Sequence, residues 1–432
     1  MDRKIPPYLF FIFLSFFSIV LTFVVFKPFI SEDISINLVL YSIGKLAGLI
    51  GFLFLSILII SGDTARFFDR YFGMDKIIKF QRKFALVTAI FVLFHPIFFI
   101  LSSKSITNSI KIYIIPNFAV LPLALGIISF YIFIIVMISS VLYKKISYNS
   151  WQYIHILAYL LFFFSLYHAF NLGSNSANSF IRLIYLIFLI AIIIGINYRT
   201  YYKLKQRHNK FTLKEIKWET KDTFTLILKP NKKFNFKAGQ FCFLRLNKDK
   251  LYARHPFTIS SSPEIEDLHF TIKLNGKFTK TASELKKGEE IIVEGPLGIF
   301  TLSDNEKKLV FIAGGVGITP FFSMIKSLKE AKNEKNVFLL YCSRNVNSII
   351  FKKELDNINE KWIKKTYILS EDECQGYEKG LINKELIKKC LGNIGGCIFY
   401  ICGPEKMKNL VLKELKELGV IRDNIITEDF FW

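Results

Sequence analysis

The chain has 432 residues, of which 52% are hydrophobic and 46 are phenylalanine, and this composition excludes an ordinary soluble globular protein. A formal net charge of +22 would suit a nucleic-acid binder, but basic residues beside apolar spans serve an anionic lipid surface with fewer assumptions, so nucleic acid is set aside as a partner. The six cysteines, Cys242, Cys342, Cys374, Cys390, Cys397 and Cys402, all fall after residue 200 without a close CxxC pair, which argues against a disulfide framework or an iron–sulfur cluster and fits a reducing cytosol.

Six stretches in the first half are long and apolar enough to cross about 30 Å of hydrocarbon: residues 5–30, 36–60, 80–101, 114–143, 151–170 and 180–198. No cleavage pattern precedes the first, and its length predicts a retained helix. The basic stretches 1–4, 66–83, 143–145 and 199–210 share one side if the spans alternate. The other side receives Glu32, Asp33, a loop with Lys104 and Lys111, and the uncharged stretch 171–179. Positive charge in short loops then predicts a multi-pass protein of the cell membrane with both termini in the cytosol.

Three histidines, His95, His155 and His168, lie within the third and fifth spans. An ionisable residue at that depth is a functional candidate, and imidazole is a common axial ligand of haem. A polar residue hydrogen-bonded inside a helical bundle is the plainer reading of each one alone. His155 and His168 are thirteen residues apart, about 20 Å along a helix axis and about 140° around it, so bringing both to one seam requires a π-bulge or kink. His95 matches His168 in depth, which predicts that these two clamp one haem near the outer leaflet.

After the basic run, alternating segments such as 224–228 and 241–246 predict the strands of a small antiparallel barrel. They lead to Arg254-His255-Pro256-Phe257-Thr258-Ile259-Ser260-Ser261, then to Gly276-Lys277-Phe278-Thr279 and Glu294-Gly295-Pro296-Leu297-Gly298. The last part opens on an apolar strand followed by Gly314-Gly315-Val316-Gly317-Ile318-Thr319-Pro320. There, glycines allow backbone to approach a diphosphate, Pro320 suits a helix start, and the helix N-terminus supplies an anion site. Tyr341-Cys342-Ser343-Arg344 ends another strand. Cys402-Gly403-Pro404 follows a further one, and the chain closes on Glu428-Asp429-Phe430-Phe431-Trp432.

In this order the motifs resemble the ferric-reductase and NADPH-oxidase family of membrane flavocytochromes b, in a prokaryotic form without regulatory domains. The resemblance covers nearly the whole chain. It implies a six-helix transmembrane haem bundle at 1–202, an antiparallel FAD-binding β-barrel at 203–305, and an α/β nucleotide-binding domain at 306–432, the last two forming a ferredoxin-reductase-like module. Phe257 would pack on the isoalloxazine and Thr258 would hydrogen-bond near flavin N5. Arg254 and His255 would face the pyrophosphate, with arginine the stronger candidate. Gly276, Phe278 and Thr279 resemble the second flavin motif, although such a tetrapeptide is also an ordinary turn, and the stretch from Glu294 to Gly298 is structural. Gly314, Gly315, Gly317, Thr319, Pro320, Gly403 and Pro404 would hold NAD(P)H, with Cys402 beside the hydride-donating carbon. Arg344 favours a 2′-phosphate, hence NADPH, and as a surface charge it would leave NADH open. Trp432 would cover the flavin.

The family's third and fifth spans each usually carry two haem-ligating histidines, whereas Gln81 stands fourteen residues before His95. The membrane subunits of methionine sulfoxide reductase systems similarly lack one of the four. The expectation is one firmly held haem b and a variable second. The resemblance implies electron transfer from cytosolic NAD(P)H through FAD and haem to dioxygen or a ferric chelate on the outer face, or, alternatively, to an extracytoplasmic protein partner. No obligatory regulatory subunit is indicated.

Overall fold

The computed structural model describes residues 7–26, 34–143, 145–173, 175–206, 209–246, 254–302, 308–332 and 335–428. Two compact units emerge, one of Met1–Phe72 with Lys76–Lys203 and one of Gly73–Asp75 with Leu204–Trp432.

The described part of the first unit is helical: α1 (Pro7–Phe26), α2 (Ile36–Asp63), α3 (Ala65–Phe72), α4 (Met74–Leu101), α5 (Ile106–Ile114), α6 (Leu121–Val141), α7 (Tyr148–Leu172) and α8 (Ser179–Gln206). Among the described residues, α2, α4, α6 with its preceding 3-10 turn, α7 and α8 are long and apolar enough to cross a membrane, and α1 contributes a shorter apolar run, Ser15–Phe26. Their apolar surface extends all round because the outward faces, such as Ile90, Leu93, Phe94 and Ile97 of α4, are exposed for lipid.

One expectation needs correction. The fourth span begins at Phe118, with α6 from Leu121, rather than at residue 114: Ile115 is extended ahead of Pro116, and residues 106–114 form the separate helix α5. Helix α7 runs unbroken from Tyr148 to Leu172 without a bulge, and from it His155 reaches Ser140 while His168 reaches Pro122, both on α6.

Small residues let the helices approach closely. Along α2, Gly44 lies against Phe98 and Phe99 of α4, Gly48 against His95, and Gly51 against Val92. Beside this seam Phe52, Phe54, Phe84, Phe162 and Tyr185 form the bundle's core.

The second unit holds two sheets. The first runs β4 (His255–Thr258), β3 (Phe241–Leu246), β6 (Glu290–Leu297), β1 (Lys210–Thr220), β2 (Thr223–Pro230), β5 (Leu268–Lys273), with antiparallel pairings. A bridge from Ile259 to Phe270 joins its two edges and closes the barrel. Alternation along β3 sends Cys242, Leu244 and Leu246 into the core. The short helix α9 (Lys277–Ser283) follows β5.

The second sheet is parallel, in the order β10 (Glu378–Lys379), β9 (Ile363–Leu369), β8 (Asn336–Ser343), β7 (Lys308–Gly314), β11 (Cys397–Cys402), β12 (Ile425–Glu428). Helix α10 (Thr319–Glu330) and the short α11 (Lys352–Asp356) pack on one face. Helices α12 (Lys384–Leu391) and α13 (Glu405–Glu417) pack on the other. The chain progresses outward from β7 to β10, then returns to place β11 on the other side of β7. That reversal makes the carboxyl ends of β7 and β11 a topological switch point, where open α/β sheets bind ligands.

Candidate functional site

In the bundle, the rings of His95 on α4 and His168 on α7 stand with centroids 6.3 Å apart and planes at 81°. The two are built alike. His95 Nδ1 lies 2.8 Å from the Gly44 carbonyl oxygen, and His168 Nδ1 lies 2.9 Å from that of Pro122. A carbonyl can only accept, so each Nδ1 carries the proton and donates it, leaving each Nε2 with a free lone pair. In each case the residue four positions after the acceptor is glycine. A Cβ on Gly48 would sit 2.5 Å from His95 Nδ1, and one on Gly126 would sit 2.7 Å from His168 Cγ. The two glycines are what admit the rings to the carbonyls.

His155 has different surroundings. Its Nδ1 faces the Trp151 carbonyl of its own helix at 3.2 Å, its Nε2 faces Ser140 Oγ at 3.3 Å, and its ring lies 4.0 Å from that of Trp151. Gln81 donates from Nε2 to Ser61 Oγ at 3.2 Å. The described residues contain no group of three or more His, Cys, Asp or Glu arranged to hold a metal ion, so the three histidines do not form one metal cluster.

A polar cluster not anticipated from the sequence joins α2, α7 and α8. Asp63 Oδ1 accepts from Tyr159 Oη at 2.5 Å and from Arg199 Nη1 at 3.0 Å, and Arg199 Nη1 also donates to Tyr159 Oη at 3.0 Å. The Asp63 side chain is 1% exposed. Gly195 makes room for it, since a Cβ there would meet Asp63 Cβ at 3.2 Å.

In the barrel, Phe257 on β4 and Phe278 at the start of α9 lie stacked at 5.8 Å, and His255 lies over Phe278 at 4.1 Å. Burial lowers the His255 pKa and so favours its uncharged ring. Arg254 supplies the charge there: its guanidinium lies over the Phe243 ring at 5.2 Å. Pro256 pairs with Phe243 across β4 and β3, and Thr258 pairs with Phe241 at the strand's buried end. Gly276 takes φ +89° to begin α9. Thr279 Oγ1 donates to the Gly276 carbonyl at 3.1 Å and accepts from Asn275 N–H at 2.7 Å. Thr279 therefore braces its own turn, and Phe278 packs in the barrel core.

At the switch point the glycines have different jobs. A Cβ on Gly317 would lie 2.6 Å from the carbonyl carbon of Cys402, one on Gly314 would lie 2.8 Å from Pro404 Cδ, and one on Gly403 would lie 3.0 Å from Gly314 Cα. These three pack the ends of β7 and β11 backbone to backbone. Only Gly315, at φ +53°, would project a Cβ into open space. Its carbonyl accepts from the buried Tyr341 Oη at 3.1 Å, and that hydroxyl oxygen in turn accepts from Ile350 N–H at 3.1 Å. Thr319 Oγ1 donates to the Val316 carbonyl at 3.0 Å, and Pro320 stands in the first turn of α10. Gly317→Ala is expected to abolish soluble folded protein, because backbone cannot yield. Gly315→Ala is expected to fold at a cost of about 1 kcal/mol and to raise the KM for NAD(P)H at least tenfold. Thermal melts paired with nucleotide titration separate the two.

Cys402 is fully buried at the end of β11. Desolvation, reinforced by Glu428, raises its pKa well above the ordinary range, so it acts as a neutral thiol. Arg344, just after β8, has a side chain 75% exposed, its Nε 4.0 Å from Glu371 Oε1. Trp432 lies outside the described residues.

Comparisons with known proteins follow the same divisions. Residues 36–166 match the ferric reductase like transmembrane component, 208–315 an FAD-binding domain, and 311–413 the oxidoreductase NAD-binding domain. A component of the Na(+)-translocating NADH-quinone reductase of Yersinia enterocolitica is 33% identical over 156 residues, covering 34% of this chain and 38% of that protein. Its counterpart from Histophilus somni is 32% identical over 165 residues, covering 36% and 40%. The chain thus spans well under two thirds of these relatives. The flavohemoglobin of Malassezia yamatoensis, solved with bound FAD and heme, superposes with a TM-score of 0.52 at 20% identity, covering 88% of this chain and 98% of that one, a likeness of fold alone.

Proposed function

The chain has the architecture of the ferric reductase and NADPH oxidase-like flavocytochromes, and from that premise we propose that it moves electrons from cytosolic NAD(P)H through FAD and one b-type haem to an acceptor on the outer membrane face. It is a membrane oxidoreductase with FAD-binding and NAD-binding domains. The single observation that carries the haem is the His95–His168 pair.

The pair fits such a group on its own dimensions. Two metal–imidazole bonds of about 2 Å place ring centres about 6 Å apart, against the 6.3 Å found. Both tautomers are set for ligation through Nε2 by carbonyls on the neighbouring helices. Two imidazoles are also the usual protein contribution to a haem iron, with the porphyrin supplying the rest. A second haem at His155 finds no such fit, because both of its ring nitrogens face protein partners and Gln81 is engaged with Ser61.

When bound, the nicotinamide supplies hydride, the flavin divides the electron pair, and the haem passes single electrons. The protein's own work is positional. The loop at Gly315 and the start of α10 offer backbone N–H groups to the nucleotide's diphosphate. Cys402 closes the end of β11 with an uncharged thiol, which puts no fixed charge beside a migrating hydride. Arg254 holds the flavin nucleotide by charge, and Phe257 gives it an apolar wall. Arg344 and its partner Glu371 set nucleotide preference. Arg344→Ala is expected to raise the KM for NADPH about tenfold with little change for NADH, and comparable efficiency of the unaltered protein with both nucleotides would remove that role.

Dioxygen and ferric chelates are the proposed acceptors, and protein docking on the outer face is the alternative. The assay is aerobic NADPH-driven reduction of soluble cytochrome c by the purified, FAD-supplemented protein with and without superoxide dismutase. Abolition by the dismutase identifies a superoxide-forming oxidase; insensitivity identifies direct transfer to a metal or protein acceptor.

A further inference from the structure

Within the FAD-binding domain, residues 208–315, lysines are plentiful, whereas Arg245 and Arg254 are the only arginines. The fold brings both to one carboxylate. Glu294 on β6, with a side chain 8% exposed, places Oε1 3.2 Å from Arg245 Nη1 and Oε2 3.4 Å from Arg254 Nη1. Alternation along β3 explains the meeting: Cys242, Leu244 and Leu246 fill the barrel core, so Phe243 and Arg245 stand on the opposite face. Arg254, just before the neighbouring strand β4, lies over the Phe243 ring. One wall outside the barrel therefore carries two guanidinium groups held at fixed spacing.

A buried carboxylate needs one arginine to balance its charge. The second leaves this wall with a net positive charge, and each guanidinium has five N–H donors of which Glu294 takes few. Both arginine side chains remain 28–29% exposed. Paired forks of this kind suit a diphosphate, whose oxygens accept in bidentate fashion from planar donors.

We propose that Arg245 is a second diphosphate-binding residue of the flavin site, and that Glu294 is the positioning residue that presents Arg245 and Arg254 together. The proposal rests on the barrel binding FAD. Glu294 Oε1 engages Arg245 and Oε2 engages Arg254. A glutamine could accept through one oxygen only, and its amide would turn donors toward the other guanidinium.

The test uses the full-length protein freed of flavin and titrated with FAD and with riboflavin, which lacks phosphate, by flavin fluorescence. Arg245→Gln is expected to raise the Kd for FAD at least tenfold and leave that for riboflavin unchanged, as is Arg254→Gln. Arg245→Lys is expected to recover part of the loss, and Glu294→Gln to weaken FAD several-fold without touching riboflavin. Thermal melts of the flavin-free variants confirm folding. Unchanged FAD affinity in Arg245→Gln, or equal loss of both flavins in a variant that melts normally, overturns the proposal. An unaltered protein that binds neither flavin overturns the FAD reading and the proposal with it.

Discussion

Purified His168→Ala protein is expected to contain no b-type haem, and His95→Ala the same, while His155→Ala keeps the full complement of one haem per chain. The basis is the matched construction of the pair: two imidazoles with ring centres 6.3 Å apart, each with Nδ1–H committed to a neighbouring helix carbonyl and each facing a glycine. On the proposed ligation, losing either ring would remove one of the two imidazoles, and the described residues contain no group of three or more histidines, cysteines or carboxylates to stand in for it. The same construction gives a subtler variant. Gly48→Ala pushes on His95 Nδ1 without removing it, and should retain protein while lowering haem content. A pyridine haemochrome assay on each preparation reads all four results, and two haems per chain in the unaltered protein would refute the single-site account.

The second large effect belongs to the polar cluster between α2, α7 and α8. Arg199→Met leaves the Asp63 carboxylate, 1% exposed, buried without its cation, and removal of one partner of a buried pair costs about 3–5 kcal/mol. Asp63→Asn leaves the partly exposed Arg199 able to turn toward water, so its cost should fall at the lower end of that range. In the helical unit this corresponds to an apparent Tm about 10 °C lower for Arg199→Met. The double variant Asp63→Asn with Arg199→Met should be more stable than Arg199→Met alone, because the uncompensated charge is gone. A double variant no better than the single would show that the ion pair does not dominate the packing of these three helices.

How much of this was legible in the chain differs by residue. The spans, the barrel strands and the glycine loop stood out through hydropathy, alternation and local motif, all of which are short-range signals. The match in depth of His95 and His168 also followed from counting along helices, and the structure places those two rings face to edge. What counting could not supply were the partners. Gly48 and Gly126 look ordinary within apolar spans until the acceptor carbonyls at Gly44 and Pro122 are seen one turn earlier, beside a ring from another helix. Asp63 and Arg199 read as charges at the ends of spans, and Tyr159 as one aromatic residue among many, because their meeting depends on the crossing of three helices. Motif matching also could not show that the Thr279 hydroxyl serves its own turn or that burial favours a neutral ring at His255. Pro116 was in plain view, yet the apolar run through it disguised the break between α5 and α6.

If one chain carries electrons from a nicotinamide nucleotide to the His95–His168 site, both redox centres must respond in sequence to the nucleotide alone. Anaerobic mixing of the purified, FAD-loaded protein with NADPH, followed at the flavin and haem absorption bands, reads that sequence. Flavin bleaching is expected first, followed by reduction of the haem band, with flavin bleaching retained and haem reduction absent in His95→Ala. A haem band that stays oxidised in the unaltered protein while its flavin is fully reduced would contradict the proposed route.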